Sequence, residues 1–261
     1  MYKNQRHNEI LKILKEEGFC SVRELAERLY ASQPTVRRDL DFLQREGLIY
    51  RSHGGAIPAD EKRKAPVSFR SGTKSRQKAN LCRLAAELIT SGAVIFTDAS
   101  TTVMHLADSL SEEDDLTLIT NGYPICRALS ERNIRTVSTG GRLLKDSMAF
   151  VGRAAEESAA RFNADLFFFS SSSLDEEGVI SDYSEEETAL RTVMKNRSRQ
   201  TVFLCVSEKF NSRSAYRMTA LREIDHIFTD APLQEDLLHR NHLILHKQTE
   251  DAFWYTQQKN N

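Results

Sequence analysis

Nine consecutive residues of this 261-residue chain hold the densest set of hydrogen-bonding groups: Ser32-Gln-Pro-Thr-Val-Arg-Arg-Asp-Leu40. Hydroxyl, amide and guanidinium donors crowded together suit the base edges and phosphates of a nucleic-acid groove. Wound as a helix at about 100° per residue, Val36, Leu40 and Leu43 share one stripe and form the buried face. Arg38 and Arg45 fall nearly opposite that stripe, and Arg37 lies on its flank. Ser32 is a good N-cap and Pro34 is tolerated in the first turn. Ser32, Gln33, Thr35, Arg37 and Arg38 are therefore the candidate reading set, with Asp39 on the flank, placed to orient an arginine. Two adjacent arginines alone are ordinary solvated charge, so the weight rests on the elements around them.

A second constellation lies further along. Asp98-Ala-Ser-Thr-Thr102 follows the apolar run Val94-Ile-Phe-Thr97, Thr120-Asn-Gly122 follows a second apolar run, and Gly140-Gly141 follows a third. In parallel sheets, ligands bind at the carboxyl ends of strands. Asp98, Ser100, Thr101 and Thr102 with free backbone N–H groups make an anion cradle suited to phosphate. Thr120, Asn121, Gly140 and Gly141 line the neighbouring ends, where missing Cβ atoms let the backbone approach a ligand. Each feature alone is a routine cap or turn. Three in succession point to a binding crevice.

The reading set needs a scaffold, and the front of the chain supplies one. Ile10, Leu11, Ile13 and Leu14 mark a helix over residues 5–17, ended by Gly18. Ser21-Val-Arg-Glu24 is a capping box opening a short helix that buries Val22, Leu25 and Leu29. Tyr30-Ala31 make the turn into the reading helix. Alternation over residues 47–51 and the Gly54-Gly55 pair predict a β-wing carrying Arg51 and His53. A wing of this kind usually touches the DNA backbone or minor groove. The whole predicts a winged helix-turn-helix over residues 1–57. Residues 58–77, with Pro58, Pro66, Gly72 and the run Glu61-Lys-Arg-Lys64, sustain no period and predict a connector.

From residue 78 helix and strand alternate. Strands are expected at 94–97, 116–120, 134–138, 166–169, 201–206, 227–228 and 243–245. Helices are expected from Leu81 to Ile89, over 101–110, through Ile125 and Leu129, and over 185–197. Such alternation predicts an α/β domain with a mainly parallel, Rossmann-like sheet covered on both sides.

At these residues the sequence resembles the DeoR-type bacterial regulators. Arg6, Ile10 and Leu14 match the opening of their signature, and Ser32, Thr35, Val36, Arg37, Arg38, Asp39 and Leu40 match its close. His53-Gly-Gly-Ala56 matches the wing ending. Lys78 and Leu81 fit a Lys-x-x-aliphatic helix start, and Asp98 to Thr102, Thr120-Asn121, Gly140-Gly141 and Phe150-Val-Gly152 fit the sensor motifs. Glu187 and Lys209 match as well, completing the effector-binding set that the resemblance implies, with Lys209 a point charge for a phosphate. The likeness implies a C-terminal sensor related to ribose-5-phosphate isomerase and CoA-transferase folds, a phosphorylated sugar-type effector, an operator in double-stranded DNA, repression of a carbohydrate operon and a homodimer or homotetramer. It implies no cofactor. It departs after Asp165: Ser170 and Ser173 stand where glycines are expected, which changes the backbone options of that loop.

Composition sets the remaining bounds. Hydrophobic residues make up 40% and charged residues 28%, a globular balance. No apolar run approaches the ~20 residues that cross a bilayer, and the N-terminus lacks the apolar core of a secretory signal, so a cytoplasmic protein without membrane contact is expected. Cys20, Cys82, Cys126 and Cys205 are scattered and form no CxxC pair, which argues against zinc or disulfides. Residues 1–78 hold 17 Lys/Arg against 10 Asp/Glu, and the rest hold 19 against 27, so only the front suits a polyanion. The rival to a regulator is a sugar-phosphate isomerase-like enzyme on a DNA tether. Such chemistry needs a positioned base, and the sequence arranges Glu187 and Lys209 as no such pair, so no enzymatic activity is expected. A third option is a constitutive architectural DNA binder with a vestigial sensor.

Overall fold

The computed structural model describes residues 2–52, 54–58 and 67–258, in two compact units, Met1–Thr73 and Lys74–Asn261. In the first, α1 spans Lys3–Glu17, α2 Val22–Arg28 and α3 Gln33–Arg45. The capping box forms as expected: the Glu24 N–H donates to Ser21 Oγ at 3.1 Å and the Ser21 N–H to Glu24 Oε2 at 2.8 Å. Ile10, Leu14, Leu25, Val36 and Leu40 are fully buried in one core. Ile49–Ser52 and Gly55–Pro58 form the antiparallel wing, and Cys20–Ser21 pairs on the other side of Gly55–Pro58. Gly55 is needed there, because a Cβ would stand 2.3 Å from the Cys20 carbonyl oxygen. Where the sequence shows only a connector, Val67–Gly72 is a short helix.

The second unit is built on an eight-stranded sheet. Six strands run parallel in the spatial order His226–Thr229, Ser198–Cys205, Ala164–Phe169, Val94–Thr97, Thr117–Thr120, Arg135–Ser138. Phe253–Gln257 and Leu243–Gln248 extend the first edge antiparallel. Alternate residues feed two cores. Ile95, Leu118, Phe168 and Val202 pack with Leu81 and Leu106 on one face, while Phe96, Ile119, Phe167 and Phe203 pack with Leu190 and Met194 on the other. Burial on both faces is why the central strands, such as Val94–Thr97 and Ala164–Phe169, read as apolar runs. The chain runs outward from Val94–Thr97 and then returns to its other side at Ala164–Phe169. The strand order reverses between those two, which is the switch point where α/β sheets hold ligands.

Three local expectations are corrected. The first helix of this unit opens at Ser75, after Lys74 at φ +50°, and its last turn, Ala86–Leu88, is 3-10. The helix expected over 101–110 is a 3-10 segment, Val103–Ser109, because Ser100 Oγ takes the Val103 N–H at 3.2 Å and three β-branched residues open it. Two small sheets escaped the periodicity, Arg142–Leu144 with Ala149–Val151, and Ser173–Leu174 with Val179–Asp182 and Tyr216–Ala220. Their strands are too short or too polar to show a period.

Candidate functional site

Helix α3 divides as its sequence predicts. Val36, Leu40 and Leu43 face the core, while Ser32, Gln33, Arg37 and Arg38 are exposed and Thr35 half-buried. Ser32 caps the helix, accepting the Thr35 N–H at 3.4 Å. Asp39 is buried. Arg6 Nε donates to its Oδ2 at 2.5 Å and His7 Nε2 lies 2.9 Å from its Oδ1. Burial opposes ionisation of Asp39, but the Arg6 and His7 hydrogen bonds outweigh it and hold the carboxyl below its ordinary value. His7 also stacks on Phe42, with ring centroids 4.8 Å apart. Asp39 therefore locks α3 onto α1 and orients an arginine from outside its own helix.

Arg51 is not offered outward on the wing. Its side chain is 18% exposed, and its Nη1 donates to the Asp41 carboxylate and, at 3.2 Å, to the Arg37 carbonyl. The opposite charge on the neighbouring helix draws it back, so it braces wing and helix. His53 lies outside the described residues.

In the second unit, Asp98 and Asn121 follow their strands at the carboxyl edge of the sheet, next to the switch point, with Ser170 across it. Their side chains take different parts. Asp98 is fully buried and occupied: its Oδ2 accepts from Arg191 Nε at 2.8 Å and from the Ser170 N–H at 3.2 Å, and its Oδ1 from the Ser100 N–H at 3.1 Å. Glu187 accepts from Arg191 Nη2 at 3.1 Å and Asp182 from Arg191 Nη1 at 2.8 Å. Three carboxylates from three elements thus converge on one buried guanidinium. Burial works against that charge, but Asp182, Asp98 and Glu187 together raise the Arg191 pKa further. Sequence reasoning missed Arg191; its one local signal is the four-residue spacing from Glu187.

Most of the remaining predicted side chains are buried. Lys78, buried, donates from Nζ to Thr101 Oγ1 at 3.2 Å. Thr120 Oγ1 takes the Gly122 N–H at 3.0 Å, and Asn121 Nδ2 donates to the Phe150 carbonyl at 3.1 Å. Thr102 Oγ1 and Asn121 Oδ1 are buried without a hydrogen-bond partner among the described residues, as are Thr97 Oγ1 and Ser147 Oγ. Buried polar atoms left unpaired cost about 1–3 kcal/mol each, so a group that satisfies several gains affinity. Gly140 and Gly141 hold φ +63° and +107°, and a Cβ on Gly141 would meet the Val151 carbonyl oxygen at 2.6 Å.

Lys209 meets the Asp98 site through Ser170, whose N–H is bonded to Asp98. Its Nζ donates to Ser170 Oγ at 2.9 Å, and Ser170 Oγ donates to the Leu204 carbonyl at 2.6 Å. Burial pulls the ammonium below its ordinary pKa, against the raising influence of Cys205 and Asp182. The serines that replace the expected glycines are not strained, since none of Ser170 to Ser173 has a positive φ. Their hydroxyls are used: Ser172 Oγ donates to Asp182 Oδ1 at 2.9 Å, and Ser173 Oγ meets Ser214 Oγ at 2.6 Å.

Among the described residues no helix is long and apolar enough to cross a membrane. Residues 6–62 match the DeoR-like helix-turn-helix domain, and residues 73–231 match the DeoR C terminal sensor domain. The glycerol-3-phosphate regulon repressor of Escherichia coli is 29% identical over 233 residues, covering 89% of this chain and 92% of that protein. An uncharacterized HTH-type transcriptional regulator of Bacillus subtilis is 33% identical over 231 residues, covering 88% and 89%. Among solved structures, ribose 5-phosphate isomerase A of Methanocaldococcus jannaschii superposes loosely, with a TM-score of 0.41 and 13% identity over 53% of this chain and 55% of that one. An exposed row of donors on a capped helix, a wing behind it, and family matches across both units lead to one conclusion: the chain is a DNA-binding transcription regulator of the DeoR family.

Proposed function

We propose that the chain is a repressor of a carbohydrate operon whose grip on its operator is set by a phosphorylated sugar. Reading falls to Ser32, Gln33, Thr35, Arg37 and Arg38, and sensing to Lys78, Thr101, Thr102 and Asn121. The observation that carries the sensing half is the pair of buried atoms without partners among the described residues, Thr102 Oγ1 and Asn121 Oδ1. A polyhydroxyl phosphate supplies the hydroxyls that these two atoms lack. Asp98 and Glu187 act through Arg191 as positioning residues. The name of the Escherichia coli relative supports a phosphorylated polyol or sugar as the effector class. A homodimer, or a tetramer built from dimers, places two recognition helices on neighbouring half-sites. The protein works in the cytoplasm, where both operator and sugar phosphates are found.

The test is a thermal-shift screen of the full chain against phosphorylated sugars and polyols, with their unphosphorylated counterparts as controls. A ligand at about 100 times its Kd stabilises by about 2.7 kcal/mol. The reading predicts a raised melting temperature for at least one phosphorylated compound and none for its dephosphorylated partner. Equal shifts from both would remove the phosphate from the account.

A further inference from the structure

The turn between α2 and α3 holds a residue that its own unit does not use. Tyr30 sits at φ +48°, in the left-handed region that glycine enters freely and other residues enter at a cost. Glycine is a common choice in the turn of this motif. The residue is 98% exposed, while the preceding Leu29 is buried and the following Ala31 packs on the core. Its amide N–H donates weakly to the Glu27 carbonyl at 3.4 Å, and the ring belongs to no core cluster of the unit. Packing within the unit therefore offsets neither the backbone strain nor the exposure of an aromatic ring. Strain of this kind persists at functional positions. Tyr30 lies two residues before the Ser32 cap, beside the helix end that carries Gln33 and Thr35.

We propose that Tyr30 is a further DNA-contacting residue, whose phenol hydroxyl donates to a backbone phosphate flanking the groove entered by α3. The proposal rests on the reading of α3 as the recognition helix. Tyrosine hydroxyls are among the donors that fix register on a duplex without reading sequence. A neutral donor releases no counterion, so its loss lowers affinity without changing the salt dependence, unlike the loss of an arginine from a phosphate.

The experiment uses the full chain and a duplex that it selects from a random pool. Affinity is measured over a salt series for the wild type, Tyr30→Phe, Tyr30→Gly and Arg38→Ala. Tyr30→Phe and Tyr30→Gly should each weaken binding about tenfold, equally on selected and scrambled duplexes, with the salt slope unchanged. Tyr30→Gly should not lower the melting temperature, since glycine adopts this φ without strain. Wild-type affinity in both Tyr30 variants alongside a loss in Arg38→Ala overturns the proposal and leaves the recognition helix standing. Wild-type affinity in Tyr30→Phe with a loss in Tyr30→Gly overturns the hydroxyl contact. Unchanged affinity in all three overturns the assignment of α3 together with the proposal.

Discussion

The recognition helix and the switch-point crevice both came from polar residues at a helix start or a strand end, yet the structure treats them in opposite ways. On α3 the predicted donors stand in solvent, and the one carboxylate among them, Asp39, is turned inward to Arg6 and His7. At the strand ends most of the predicted side chains are buried, and two of them, Asp98 and Glu187, are held by an arginine the motif did not include. An interface for a large polyanion keeps its donors free to meet a partner. A site for a small ligand is pre-formed by internal bonds, and the groups left unpaired in it are the informative ones.

The sharpest way to break this contrast is at Arg191. Arg191→Met strands three buried carboxylates, and removing one partner of a buried ion network costs about 3–5 kcal/mol. Urea denaturation of the intact chain should show a loss of that order. A loss under about 1 kcal/mol would mean that water already reaches the carboxylates. Gly141 tests the crevice backbone. Gly141→Ala drives a Cβ into the Val151 carbonyl and should destabilise by about 2 kcal/mol. Gly140→Ala, which faces open space at φ +63°, should lose only about 1 kcal/mol. Equal losses would show that the left-handed φ alone decides. On the other side of the contrast, Arg38→Ala should leave stability unchanged and weaken operator binding by about 1–3 kcal/mol. Ser32→Ala, which removes the cap, should lower stability by about 1 kcal/mol.

Asp39 gives the contrast a pH dependence. Its folded pKa lies below the unfolded value, so its contribution is present above the ordinary carboxylate range, about 4, and is lost as pH falls through the folded pKa. Asp39→Asn should be less stable than wild type at pH 7, and the gap should close in acid. A gap that persists at pH 2 would assign the effect to shape instead of charge.

Legibility follows the range of the interaction. The Val36–Leu40–Leu43 stripe, the Ser21–Glu24 capping box and the Ser32 cap are bonds or spacings within a few residues, so they are visible in the chain. The central parallel strands are visible because burial on both faces makes their middle residues apolar. Arg191 joins Asp98 from 93 positions away, and no local pattern records that meeting. Arg51 reads from the sequence as a wing residue offered to DNA, because nothing nearby shows that Asp41 and the Arg37 carbonyl would face it. The serine loop departs from the glycine pattern that the resemblance implies, and nothing nearby in sequence shows what its hydroxyls meet. Here the serines keep ordinary φ values and use their hydroxyls on Asp182, Ser214 and the Leu204 carbonyl.

The measurement that tests the account most directly is the affinity of the intact chain for its selected duplex, with and without the phosphorylated compound that raises its melting temperature. Coupling between two sites is typically about 1–3 kcal/mol, or 5–150-fold. The account predicts a change of at least about fivefold with the phosphorylated compound and none with its dephosphorylated form. Equal affinity with and without a saturating ligand would contradict it, leaving a DNA binder whose sensor does not report to its recognition helix.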